Sequence, residues 1–138
     1  MGAIRKVDLR SVRFLVVDDN EFICRLLKEM LSSFGAEIVC QAATVSTAMD
    51  IVRGDPPDII LCDWMMRPLD GLAFLKTIRR VRGPYIPVIM ITGHATGDHV
   101  AAAMGEGADS YIVKPFCAGP LLEHIVKVIQ ASQGATYL

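Results

Sequence analysis

The sequence predicts an α/β sandwich on a mainly parallel sheet, and three observations predict it. Five short apolar runs alternate with five longer segments of helical period along the chain, the order that lays helices against a parallel sheet. Four of those runs are mostly continuous apolar stretches rich in Val and Ile, as strands covered on both faces require. The chain has 138 residues, 52% of them hydrophobic and 21% charged, which suits one domain with a real core.

The first run, 13–17, is followed by Phe22, Ile23, Leu26, Leu27, Met30, Leu31 and Phe34 at helical spacing, with Gly35 as the stop. The second run, 37–41, carries Glu37 and Gln41 at its ends and suits a sheet edge. Thr44 opens a shorter helix through Val45, Ala48, Met49 and Val52, closed before Pro56-Pro57. After the third run, 59–62, a helix carries Leu72, Phe74, Leu75, Ile78 and Val81 up to Gly83-Pro84. The fourth run, 88–91, leads to an Ala-rich helix over 95–105, and the fifth, 110–113, to a helix over 121–130 with Pro120 at its start. Residues 1–11 and 132–138 are expected to be an N-terminal extension and a C-terminal tail, both loose, leaving 12–131 as the domain.

Composition excludes several function classes. A formal charge of −1 gives no field to hold nucleic acid. No apolar run approaches the roughly 18 residues of a membrane span, and the charged N-terminus followed by Asp18-Asp19 does not fit a signal peptide. Cys24, Cys40, Cys62 and Cys117 form no CxxC pair and read as reduced core residues of a cytoplasmic protein. His94, His99 and His124 lack zinc-ligand spacing. Arg79, Arg80 and Arg82, with Lys76, read as the solvated face and end of the third helix.

Ligands of open α/β sheets bind beyond the carboxyl ends of the strands. Asp18 and Asp19 end the first run, Asp63 the third, Thr92 the fourth and Lys114 the fifth. In isolation Asp18-Asp19 reads as a helix cap, Asp63 as a turn residue, Thr92 as the start of a loop and Lys114 as a solvated charge. Together at one sheet edge they describe something else. Three carboxylates sharing a site repel unless a cation is present, and hard oxygen donors without His or Cys favour Mg²⁺. Lys114 adds a point charge for an anion, and Thr92 a hydroxyl for one of its oxygens. That set suits phosphoryl transfer.

On these residues the chain resembles the receiver (CheY-like) domain of two-component response regulators over roughly 12–131. The carriers are Leu15-Val16-Val17-Asp18-Asp19-Asn20, Ile60-Leu61-Cys62-Asp63-Trp64-Met65-Met66, Asp70-Gly71, Ile91-Thr92-Gly93 and the run 107–116 ending in Lys114-Pro115-Phe116. The resemblance implies a flavodoxin-like (βα)5 three-layer sandwich with a five-stranded parallel sheet of order 2-1-3-4-5. It implies Asp63 as the phosphoacceptor, and Mg²⁺ held by Asp18, Asp19, Asp63 and the backbone carbonyl of Met65. Lys114 would pair with Asp63 and then with the phosphoryl oxygens. Thr92 and Tyr111 would be the switch pair, and Met65 and His94 would tune phosphoryl lifetime. The Lys114–Pro115 peptide would be cis. One departure is Arg67, which stands where the family usually has Pro, with Pro68 after it; the spacing to Asp70-Gly71 is kept, implying a reshaped loop.

Only one helix and a short tail follow Lys114, so the sequence reads as a stand-alone receiver with no output domain. Its donor would be a sensor histidine kinase or a histidine phosphotransfer protein. Its output would be a downstream protein bound through the fourth helix, fifth strand and fifth helix, with the chain a monomer or weak dimer. It would catalyse only its own phosphorylation and dephosphorylation. The alternatives are a Mg²⁺-dependent phosphatase-like hydrolase, a flavodoxin-like cofactor binder and a receiver that binds partners without phosphate. Adjacent acids and no cap domain speak against the first, and acids in place of a phosphate-binding loop against the second.

Overall fold

Every residue of 59–62 and 88–91 is apolar, and both runs lie in the middle of a parallel sheet. The computed structural model describes residues 7–93 and 96–133. Its strands are β1 (Arg13–Val17), β2 (Ile38–Ala42), β3 (Ile59–Asp63), β4 (Val88–Thr92) and β5 (Ser110–Val113). Between and after them run α1 (Glu21–Ser33), α2 (Val45–Gly54), α3 (Gly71–Arg80), α4 (Gly97–Gly105) and α5 (Ala118–Gln133). The sheet order is β2-β1-β3-β4-β5, all pairs parallel.

Strand side chains alternate between faces, and here the alternation separates two cores. Leu15, Val17, Ile60, Cys62, Val88 and Met90 pack on one face with α2, α3 and Ala103 of α4. Phe14, Val16, Ile59, Leu61, Ile89 and Ile91 pack on the other with α1 and α5.

Local chemistry sets where the elements begin and end. Asn20, Thr44 and Asp70 cap α1, α2 and α3 by accepting backbone N–H groups. Gly35, at φ +101°, lets the chain leave α1 with the Ala36 N–H donating back to the Leu31 carbonyl. The second strand is an edge, as its polar ends foretold, though it starts one residue later, at Ile38.

Several expectations are corrected. The fifth strand is not covered on both faces: it is the opposite edge, with Val113 exposed. Cys24 and Cys62 are buried, but Cys40, on the edge strand β2, and Cys117 are exposed. Within the expected N-terminal extension, Leu9 packs in the α1/α5 core, 3% exposed. The last helix starts earlier and runs longer than 121–130, taking in residues 132 and 133 of the expected tail. The fourth helix starts at Gly97.

Arg79 is not solvated. Its guanidinium donates to the carbonyls of Gly107 (2.9 Å) and Ile86 (2.8 Å) and to Asp109 Oδ2 (2.9 Å), and stacks over Tyr85 at 4.3 Å. Asp109 also accepts from the Val88 N–H (2.8 Å) and the Tyr85 hydroxyl (2.8 Å). This network ties α3, the start of β4 and the start of β5 at the end of the sheet away from the carboxylates. Asp109→Ala strands the Val88 N–H and the guanidinium together, and is expected to lower unfolding free energy by about 2–3 kcal/mol. Urea unfolding checks this.

Candidate functional site

Asp18 follows the last residue of β1, and its N–H donates to the Ala42 carbonyl (3.1 Å), which continues the ladder and leaves Asp18 2% exposed. One of its carboxylate oxygens accepts the Asn20 N–H (2.9 Å), the other the Lys114 ammonium (3.3 Å). Because Asn20 is the cap of α1, accepting from Phe22 and Ile23, Asp18 and Asp19 are not needed for capping.

Asp63 ends β3 and is 7% exposed. Lys114 Nζ lies 3.4 Å from its Oδ1, so one ammonium bridges Asp18 and Asp63. The Met65 N–H also donates to the Asp63 carboxylate. Burial raises the Asp63 pKa above the usual carboxylate range, the Asp18 charge adds to the rise, and Lys114 and the Met65 N–H oppose it.

Lys114 is aimed by the sheet itself, its N–H donating to the Thr92 carbonyl at 2.7 Å. The Lys114–Pro115 peptide is cis, and so is Arg67–Pro68 in the loop after Asp63. Thr92 is fully buried and shares a hydrogen bond with Tyr111, whose phenol is raised by burial and held down by that bond. The two residues of the expected switch pair therefore touch.

Carboxylate oxygens of Asp18, Asp19 and Asp63 all lie within 4.8 Å of one another. Three carboxylates against a single ammonium leave excess negative charge, and the donors are all hard oxygens, a set that fits Mg²⁺. Met65 joins the site through its backbone, while its side chain is exposed at the rim. The expectation for His94 lies outside the described residues.

Sequence reading missed how closely Gly71 packs. Its N–H donates to the Trp64 carbonyl at 2.8 Å, and a Cβ there would overlap the Asp63 carbonyl oxygen. It also missed that Trp64, 8% exposed, meets the His99 ring edge-on at 5.2 Å. No local signal marks that pair, since the two residues are far apart in the chain.

The family model for the response regulator receiver domain matches residues 14–126. The chain belongs to that family. Receivers are signalling switches, and this one shares 31% identity over 124 residues with the chemotaxis protein CheY of Pseudomonas aeruginosa, covering 89% of this chain and 100% of that one. It is also 31% identical to CheY-3 of Vibrio cholerae, over 88% of this chain and 94% of that one. Among solved structures, the CheY-like receiver of Methanospirillum hungatei superposes with a TM-score of 0.83 at 28% identity, over 90% and 98% of the two chains. A Francisella receiver matches with a TM-score of 0.81 at 25% identity, over 88% and 99%. The receiver is thus a CheY-like response regulator domain. Among its described residues no helix is long and apolar enough to cross a membrane.

Proposed function

We propose that the receiver is a phosphoacceptor switch in which Asp63 takes a phosphoryl group from a phosphohistidine of a sensor histidine kinase or histidine phosphotransfer protein. The observation that carries this reading is Asp63 itself: a nearly buried carboxylate at a strand end, bridged by Lys114 to a second acid. Its oxygen attacks phosphorus in line, the P–N bond breaks, and the imidazole leaves with the bond's electrons. Mg²⁺, held by Asp18, Asp19, Asp63 and the Met65 carbonyl, would neutralise charge on the phosphoryl oxygens.

The other roles belong to this chain. Lys114 releases Asp63 and pairs with the phosphoryl oxygens. Thr92 turns its hydroxyl from Tyr111 to a phosphoryl oxygen, which frees the phenol to repack against the inner face. Tuning of the phosphoryl lifetime is assigned to Met65 and His94. The output is a protein docked on α4, β5 and α5, where Met104 and Val113 expose apolar surface. The receiver catalyses only the gain and loss of its own phosphoryl group.

Intact-mass measurement with acetyl phosphate and Mg²⁺ tests the reading. A gain of about 80 Da is expected, the mass of one phosphoryl on a carboxylate nucleophile. It should be absent in Asp63→Asn and without divalent cation. A wild-type chain that gains no mass and binds no Mg²⁺ would sink the assignment.

Thermal melting gives an independent check. At 100 times its dissociation constant, Mg²⁺ should stabilise the wild type by about 2.7 kcal/mol, or roughly 10 °C in a domain this size. Asp19→Asn should lose most of that gain.

A further inference from the structure

The backbone after Asp63 is fixed. The Trp64 carbonyl accepts the N–H groups of Met66 (3.1 Å) and Gly71 (2.8 Å), so what Trp64 can pass on it passes through its side chain. That indole packs in the α2/α3/α4 core and meets the His99 ring at 5.2 Å and 73° between planes, an edge-to-face contact.

His99 is the third residue of α4. Its N–H donates to Oγ1 of the cap residue Thr96 (3.3 Å), and its ring Nδ1 shares a short hydrogen bond with the same hydroxyl. The cap and the indole are therefore joined through one imidazole. The rest of α4 is weakly anchored, since its nine residues bury only Ala103. A short helix held so lightly takes its position from whatever grips its first turn.

We propose that the Trp64–His99 contact is a second mechanical link from the phosphoacceptor strand to α4, beside the Thr92–Tyr111 pair, with His99 as a positioning residue. When the charge and contacts of Asp63 change, the indole one residue along shifts, and the His99 ring packed against it carries that shift into the first turn of α4. His99 takes no part in the phosphoryl chemistry. The link rests on the phosphoacceptor reading above, and it predicts a separation of chemistry from response.

The test uses the full chain, comparing wild type, His99→Ala and His99→Phe with and without acetyl phosphate and Mg²⁺. Intact mass reads phosphoryl gain, and backbone hydrogen exchange over 97–105 reads the α4 response. In His99→Ala the rate of phosphoryl gain should stay within about twofold of wild type, while the phosphorylation-dependent change in α4 exchange falls by about half or more. His99→Phe keeps a ring against Trp64 and should keep the response.

An equal rise in α4 exchange in both states of His99→Ala, with the difference intact, would make His99 merely structural and overturn the link. A His99→Phe chain that behaves like His99→Ala would place the effect in the Thr96 cap and overturn it too. A wild-type chain that gains phosphoryl but shows no change over α4 also ends the link while sparing the phosphoacceptor reading. A wild type that gains none and binds no Mg²⁺ removes both.

Discussion

Gly71→Ala is expected to destabilise the receiver by about 3 kcal/mol, lower its melting temperature by roughly 10 °C, and abolish phosphoryl gain at Asp63. The added Cβ would overlap the Asp63 carbonyl oxygen and lie 2.9 Å from both the Asp63 carbonyl carbon and Trp64 Cα. All three are backbone atoms, which cannot swing aside as a long side chain can. Relief requires that α3 back away from β3, which breaks the 2.8 Å bond from the Gly71 N–H to Trp64. It would also move the Met65 N–H that steadies the Asp63 carboxylate. Gly54, at the end of α2, has nothing within 4 Å of such a Cβ. Gly54→Ala should therefore leave the melting temperature within a few degrees of wild type, and the pair separates loss of a close approach from loss of glycine as such. Melting curves and intact mass on both variants decide it.

Lys114→Ala is expected to cut the rate of phosphoryl gain by about 100-fold, the usual loss when one donor to a developing oxyanion is removed. Its effect on the unphosphorylated fold follows from the two carboxylates it bridges. Asp18 and Asp63 are 2% and 7% exposed, and without the ammonium they face each other with no neutralising partner. Without divalent cation the variant should be less stable by about 2 kcal/mol at pH 7, the loss for a buried pair discounted for the partly exposed lysine.

The pH dependence has a definite sign. The Asp63 pKa is already raised by burial and by Asp18, and Lys114 opposes the rise. Removing Lys114 lifts it further. A carboxyl with a raised folded pKa costs nothing below its unfolded value of 3.8, and its cost grows as pH rises through the folded value. The stability gap between Lys114→Ala and wild type should therefore narrow on acidification. Mg²⁺ should narrow it also, because the cation replaces the missing charge. A gap independent of both would show that Lys114 acts by packing alone.

Lys114 was visible in the sequence with the rest of its site, and the reason is physical. Asp18, Asp19, Asp63, Thr92 and Lys114 each follow or close a run whose apolar character fixes a strand, and parallel strands bring their ends to one edge. Position along the strand therefore gives position in space. Arg79 was misread because helical periodicity reports which face a residue leaves from, while a long side chain can reach a loop near residue 107. Cys40 and Cys117 were misread because apolar neighbours do not reveal whether another element covers them. The Trp64–His99 contact depends on how α4 lies against β3, which no local pattern encodes.

The separation of the two cores has a further consequence. Trp64 and Tyr111 pack on the α2/α3/α4 side, while α1 and α5 close over the other. The sheet acts as a partition: both aromatic side chains of the proposed relay lie in one compartment, and five strands of packed backbone separate it from the other. Substitutions that only loosen packing between α1 and α5 should then change stability while leaving the contacts of Trp64 and Tyr111 in place.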